Sequence, residues 1–410
     1  MCEIPKKIDE IEVFPSNNAS LKKKYTLKVI NKYYDISETL YQLLELIDNK
    51  RSIVELTNLF SQKTGKTLNK SDLTIIIDKH FVKKNIVYFD EKPTNEEKNE
   101  SYLLVKIPLL SSKIIEPLAL VLKVFFQKYI LFVLLTGAIL FHVYLYIFYD
   151  NAPSFSLTNL KATEASVIFI ILFITTLFHE LGHSSACKYI GAKIGSIGVG
   201  LYLYMPVFYS DVTDVWIFKR SKRLLVDFGG IYFQLILIPF IFLIFLHSNN
   251  HIFLFTIYFL DFSIISSMNP ILRFDGYWIA TDISGIPNLR KRSKELFYYY
   301  IKSLFNLDIT APDFHKDIPK SSRYFLIVYS LVSNIIFSIY IYIIITYLPT
   351  LFSNIILLTN ELILFLKNNS PFDNYTDLFS ILNRMLPSFL FISMLLIMVF
   401  RIVKNLTRSL

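Results

Sequence analysis

ASVIFIILFITTLFHELGH, residues 165–183, decides how the rest of the chain is read. An apolar run of membrane-helix character leads without a break into His179, Glu180, Leu181, Gly182 and His183. Histidines four apart project from one face of an α-helix, about 40° apart around its axis. Both can bind one Zn²⁺, with Glu180 beside the metal as a base for water. Metal-binding and charged side chains are costly in hydrocarbon, so their presence inside such a run implies function. The expectation is zinc-dependent hydrolysis within a bilayer.

Composition agrees with a membrane setting. Of the 410 residues, 53% are hydrophobic and 16% aromatic, and mean hydropathy is +0.45. These values exceed the usual soluble range, and the Phe, Leu and Ile come in blocks. The net charge of +9 does not call for nucleic acid. Lys and Arg lie mostly in the N-terminal third and between apolar runs, the ordinary pattern of membrane loops, so no nucleic-acid partner is expected. With only Cys2 and Cys187, neither a disulfide framework nor a Cys-rich zinc module can form. The first 100 residues are polar, and no cleaved signal peptide is expected.

Residues 1–100 read as a small α+β domain. IEVF (11–14), YTLKV (25–29) and YYDI (33–36) have strand character. Leu40, Leu43, Leu44 and Ile47 recur at helical spacing, and Ser52 with Glu55 forms a capping box that opens a second helix ended by Gly65. Leu73, Ile76, Ile77 and His80 mark a third helix, and NIVYF (85–89) a closing strand. The pattern is winged-helix-like. PTNEEKNES (93–101) is a polar linker, and 101–128 reads as linker plus an interfacial helix around 114–126.

The fold class expected for the whole is mainly α: a polytopic bundle of about six spans over 129–410, preceded by the winged-helix-like domain. The spans are placed at about 129–149, 165–187, 224–246, 252–268, 324–348 and 386–402. Loops 188–223 and 273–323 are rich in Lys and Arg, whereas loop 150–164 holds only Lys161. The positive-inside rule then puts both termini and both basic loops in the cytoplasm, in a multi-pass protein of the inner (cytoplasmic) membrane. Segment 351–366 is short and contains Glu361, and it is read as an interfacial or re-entrant piece.

Catalytic zinc uses three protein ligands and leaves a position for water. The third is sought in MNPILRFDG (268–276), where Pro270 ends a span and frees irregular chain to bring Asp275 to the depth of His179 and His183. Cys187, one turn beyond His183, is read as a small apolar helix residue, with zinc ligation as the alternative. Asp227 and Asp261 are read as polar contacts between helices or with the site, and Asp211 and Asp214 as turn residues or substrate contacts. His142, His247 and His251 are placed at the opposite membrane face.

HELGH (179–183) followed by NPILRFDG (269–276) resembles the site-2 protease family of intramembrane zinc metallopeptidases. The resemblance covers roughly 165–290. It implies His179, His183 and Asp275 as metal ligands, Glu180 as catalytic base and Zn²⁺ as cofactor. It also implies a β-hairpin within 194–216 that holds substrate extended. Where the family often carries G-P-x-x-N, this chain reads Gly230-Ile-Tyr-Phe-Gln234, so the substrate role of the Asn passes to Gln234, with Asn269 as a second substrate contact.

The pattern at 25–89 resembles the PqqD-like recognition element for ribosomally made, post-translationally modified peptides. That resemblance implies a leader peptide added as a strand, with backbone hydrogen bonds supplying affinity. The expected function is therefore intramembrane cleavage of a peptide precursor whose leader is held by residues 1–100. The expected partners are that peptide, the lipid bilayer and an ABC-type peptide exporter. Two alternatives stay open: regulated intramembrane proteolysis of a membrane-anchored regulator, and a non-catalytic export or immunity component.

Overall fold

The computed structural model describes residues 4–30, 32–65, 67–89, 103–149, 162–202, 205–305, 310–368 and, beyond these, 377–382, 384–385, 388–389, 391–393 and 396. The polar linker expected at 93–101, the loop around Lys161 and most of the span expected at 386–402 lie outside the described residues.

The N-terminal region forms where the alternation of apolar residues placed it. Strands β2 (Ile11–Pro15), β3 (Lys24–Val29) and β4 (Lys32–Ser37) make an antiparallel sheet in the order β2–β3–β4. Leu27 and Val29, two apart, drop from one face of β3 into a core shared with Ile36, Leu43, Leu56, Phe60, Leu73 and Ile77. The last five come from or flank α1 (Glu38–Leu46), α2 (Ile53–Thr64) and α3 (Lys70–His80). The capping box at Ser52 is present in full: its side chain accepts from Glu55 N–H while Glu55 accepts from Ser52 N–H. Gly65 ends α2 at φ +66°. The closing strand β5 (Val87–Tyr88) pairs with a strand that sequence patterning did not reveal, Lys6–Lys7, called β1.

The stretch expected to be linker and interfacial helix contributes to the body of the protein. Lys106–Leu110 is a strand, β6, which pairs antiparallel with β7 (Ile197–Tyr202). With β8 (Met205–Ser210) it makes a three-stranded sheet in the order β6–β7–β8. The hairpin expected within 194–216 thus has one flank covered by β6, and β8 is the outer strand. The following helix, α4 (Ser112–Leu122), buries Ile115 and Ala119 against Ile197, Leu177 and Leu181.

Among the described residues, four helices are long and apolar enough to cross a membrane: Lys128–Phe148, Thr163–Ile190, Arg220–Ser248 and Lys320–Asn368. The first is α5 (Lys128–Val143) with a π-turn at Tyr144–Phe148. The second is α6 (Ala162–Ile190), and the third is α7 (Arg220–Asp227) running into α8 (Gly229–Ser248). The described residues therefore do not confirm a count of six spans. The fourth expected span is α9 (His251–Ser267), whose 17 residues reach only about 26 Å, short of a hydrocarbon core of about 30 Å. The fifth belongs to α13 (Lys320–Asn368), a helix of 49 residues that runs through Pro349 and takes in 351–366, in place of the separate interfacial or re-entrant piece expected there. Between α9 and α13 lie α10 (Asp275–Ser284), α11 (Leu289–Leu304) and α12 (Asp313–Asp317).

Two compact units partition the chain. Residues 330–410, with 103–105 and 201–206, form one, in which Phe365, Ile381 and Met385 pack together. The other contains the N-terminal region and every residue of the site below. Within it α6 crosses α8 at unusually short range. A Cβ on Gly182 would fall 2.3 Å from the Gly229 carbonyl oxygen, and one on Gly229 would fall 2.8 Å from that of Gly182. Only paired glycines allow the two backbones to approach so closely.

Candidate metal centre

His179 and His183 face α8 and the N-terminus of α10 from adjacent turns of α6. Their ring centroids lie 4.8 Å apart. Each ring is held by its far nitrogen. His179 Nδ1 donates to Gln234 Oε1 at 2.9 Å, and His183 Nδ1 donates to the Val226 carbonyl at 2.7 Å. Those bonds aim both Nε2 atoms the same way, 3.1 Å from one another. Asp275 completes the cluster: its Oδ2 lies 3.0 Å from His179 Nε2 and its Oδ1 3.4 Å from His183 Nε2. Among the described residues this is the group of three whose donor atoms all lie within 4.8 Å and could hold a metal ion.

The donor set fits a tetrahedral ion. Zn–N bonds of about 2.0–2.1 Å at tetrahedral angles put two nitrogens about 3.3 Å apart, close to the distance here. Both Nδ1 atoms donate to oxygen acceptors, which leaves each Nε2, beside the Asp275 carboxylate, as the ring position that can turn a lone pair toward a shared ion. The outer hydrogen bonds from Gln234 and Val226 are the arrangement that fixes the tautomer of a ligating histidine.

Each part is placed by a local feature of the chain. Asp275 is the first residue of α10, where a carboxylate is favoured by the free N–H groups. The chain reaches it through an irregular stretch, 268–274, after α9 ends at Ser267. Asn269 Oδ1 accepts from Ile271 N–H at 2.9 Å within that turn, and the Tyr329 hydroxyl donates to the Pro270 carbonyl at 2.9 Å. Gly276 follows Asp275 because the turn folds back: a Cβ there would sit 2.0 Å from the Met268 carbonyl oxygen. Gly230 has the closest bearing on the rings. A Cβ at that position would lie 2.4 Å from His179 Nε2 and 2.5 Å from His183 Nε2. Glu180 is buried on the same turn of α6.

The structure sorts the other residues singled out by sequence. Gln234 and Asn269, expected to contact substrate, each have a protein partner for the side-chain oxygen, the His179 ring and the Ile271 N–H. Cys187 is buried and donates to the Lys193 carbonyl at 3.3 Å, away from the ring nitrogens that converge. Asp227 lies half-buried one residue beyond the carbonyl that receives His183. Asp261 accepts from the Tyr146 hydroxyl at 2.7 Å and lies 3.1 Å from His142 Nε2, so His142 belongs to a polar contact between α5 and α9. Asp211 accepts from Thr213 N–H at 3.3 Å, closing a turn. Asp214 receives Lys28 at 2.7 Å, Tyr33 at 2.9 Å and Lys193 N–H at 3.0 Å, which joins the N-terminal sheet to the segment after β8.

Sequence patterning missed several positions that shape this centre. Val226 acts through its carbonyl, which any residue type carries. Arg223 and Asp282, both buried, pair at 2.5 and 2.9 Å between α7 and α10, and nothing in their spacing in sequence pointed to it. Gly230 was visible in the Gly230-to-Gln234 motif, though its use as a cradle for imidazoles was not.

No family model matches the chain, and no solved structure matches it. A stretch of 119 residues, 28% of this chain, is 31% identical to a curated protein of Bacillus subtilis (strain 168) described as "Putative peptide zinc metalloprotease protein YydH". The chain spans 46% of that relative's length. That description names a zinc metalloprotease, and among the described residues of this chain His179, His183 and Asp275 could hold a metal ion.

Proposed function

We propose that the protein is a membrane-embedded zinc endopeptidase that cleaves a peptide precursor, with residues 1–100 binding the precursor's leader as a PqqD-like recognition element. One observation carries the reading. Two histidine Nε2 atoms and a carboxylate converge while both Nδ1 atoms are committed to outer acceptors, an arrangement suited to a shared cation.

His179, His183 and Asp275 would hold the ion. A bound Zn²⁺ supplies Lewis acidity toward a scissile carbonyl and makes water a stronger acid. Glu180 takes the proton released as water attacks and delivers it to the leaving amine, a general-base then general-acid role. Gln234 holds the His179 imidazole in its tautomer, and Asn269 keeps the turn that delivers Asp275. The outer strand β8 offers backbone groups to which an extended substrate can add, which suits hydrolysis because a helical peptide satisfies its own amides and hides the scissile bond. In the N-terminal region the outer strand β4 offers the same mode to a leader.

Peptides from cells producing the wild-type or the Glu180→Gln chain, compared by mass spectrometry, test the reading. The expected result is a precursor that accumulates uncut only with the variant, together with about one Zn²⁺ per purified wild-type chain. Purified wild-type protein that takes up no zinc would overturn it.

A further inference from the structure

We propose that the loop between β2 and β3 is part of the metal centre's framework: acting through Arg223, it positions α10 and thereby the ligand Asp275. This inference rests on the metallopeptidase reading above and concerns what holds its third ligand in place.

The loop reaches out of the N-terminal sheet onto α7 and onto the C-terminal ends of α10 and α12. Asn18 Oδ1 accepts from Arg223 Nη2 at 3.2 Å, and Asn17 Nδ2 donates to the Ile217 carbonyl at 3.4 Å. Ala19 N–H donates to the carbonyl of Gly285, the residue that caps α10, at 2.7 Å. Leu21 N–H donates to the Asp317 carbonyl at 2.6 Å, and Lys22 pairs with the Asp317 carboxylate at 2.7 Å. Asn18 is itself held from the sheet, because its Nδ2 donates to Asp35 of β4.

Arg223 is where these contacts meet the site. Its side chain is 2% exposed, and its guanidinium engages Asp282 of α10 with two nitrogens. The Trp216 ring lies 4.8 Å from it and meets Trp278 of α10 edge to face. Two elements are tied together by that pair. One is α7, whose Val226 carbonyl orients His183; the other is α10, whose first residue is Asp275. Helix α10 has 10 residues, a rod of about 15 Å with the ligand at one end and the loop's hydrogen bond at the other. Metal–ligand distances tolerate about 0.2 Å, so a small tilt of such a rod is felt at the carboxylate. The N-terminal region is then more than a tether. A tether changes the local concentration of substrate and leaves the metal alone, whereas this loop predicts an effect on the metal with no peptide present.

The experiment titrates Co²⁺ into the metal-free, full-length protein in detergent and follows the visible ligand-field absorption. Asn18→Ala combined with Ala19→Pro removes the acceptor for Arg223 and the donor to Gly285. The expected result is cobalt affinity reduced about tenfold, the low end for lost outer-layer support, with a spectrum shifted toward that of Asp275→Ala. Asn18→Ala alone, a mild change in a half-buried loop, shifts affinity in the same direction by at least about threefold. Lys28→Ala loosens the same region at Asp214 without touching α10, and it leaves affinity within about twofold. If both loop variants bind cobalt as the wild type does, with an unchanged spectrum, while Asp275→Ala loses it, the positioning role is wrong and the metal site stands. If Asp275→Ala and the wild type bind cobalt alike, the metal site itself is wrong.

Discussion

Gly230→Ala is the smallest change that should dismantle the centre. The added methyl would lie 2.4 Å from His179 Nε2 and 2.5 Å from His183 Nε2. Ordinary carbon–nitrogen contact begins near about 3.4 Å, so one or both rings must retreat by about 1 Å, five times the tolerance of a metal–ligand bond. The rings cannot swing freely, because each is pinned through Nδ1 to Gln234 or to the Val226 carbonyl. Helix α8 cannot retreat cheaply either, since Gly229 is in backbone contact with Gly182. Overpacking of this kind costs about 1–3 kcal/mol of stability, which leaves a folded protein with misdirected ligands. We expect metal affinity to fall by at least about 10²-fold, beyond what loss of an outer hydrogen bond produces. Metal content of the purified protein and competition with a chelator measure it. Gly137→Ala is the control: it adds the same methyl to α5, where nothing lies within 4 Å, and it should keep full metal. Stoichiometric zinc with unaltered affinity in Gly230→Ala would refute the reasoning, since it would mean the ion does not sit where the two Nε2 atoms meet.

Further outcomes follow from the same geometry. Glu180→Gln should retain zinc and lose at least about 10²-fold in peptide cleavage, because the amide cannot accept a proton from water; near-normal turnover would remove Glu180 from the mechanism. Gln234→Ala should weaken zinc about tenfold by freeing the His179 ring, and a result in which only peptide affinity changes would return Gln234 to a substrate role. Acid should loosen the N-terminal sheet from the segment after β8. Burial pushes the Asp214 carboxyl up, but Lys193 N–H, Lys28 and Tyr33 outweigh it and hold it below the ordinary 3.8. A depressed carboxylate adds stability above its unfolded value that is lost as pH falls through the lower folded one, so docking should weaken below about pH 4. Hydrogen exchange at β3 and β4 reads this, and Asp214→Asn should abolish the pH step; an identical step in that variant would assign it to another group.

Much of the N-terminal region was legible in the sequence, because its signals are local. Alternating apolar residues in β3, helical spacing around Leu43 and the Ser52–Glu55 box each act within a few residues of chain, and the elements formed where those patterns lie. The pairing of Lys6–Lys7 with Val87–Tyr88 was not legible, since two residues carry no period and their partner is some eighty residues away. Strand β6 was hidden for a related reason: KIPLL makes sense as a strand only beside β7. The length of α13 was not legible from hydropathy, which marks what lipid will accept and cannot say where a helix starts and stops. Continuous helix through Pro349 depends on neighbouring turns satisfying the freed carbonyl.

At the centre the division is sharper. His179, Glu180 and His183 are set by helical periodicity, so four residues of spacing suffice to put two imidazoles on one face. Asp275 was reachable too, because Pro270 marks a helix break after which irregular chain can carry a carboxylate. What sequence alone left undecided is how these groups are aimed. The Val226 carbonyl has no side-chain signature, the cradle at Gly230 exists only because α8 crosses α6 at the Gly182–Gly229 contact, and Arg223 meets Asp282 across 59 positions of chain. Residue type and local spacing select which atoms can bind a metal, but the direction of each lone pair is set by packing between distant segments, and that is decided only when the tertiary structure brings them together.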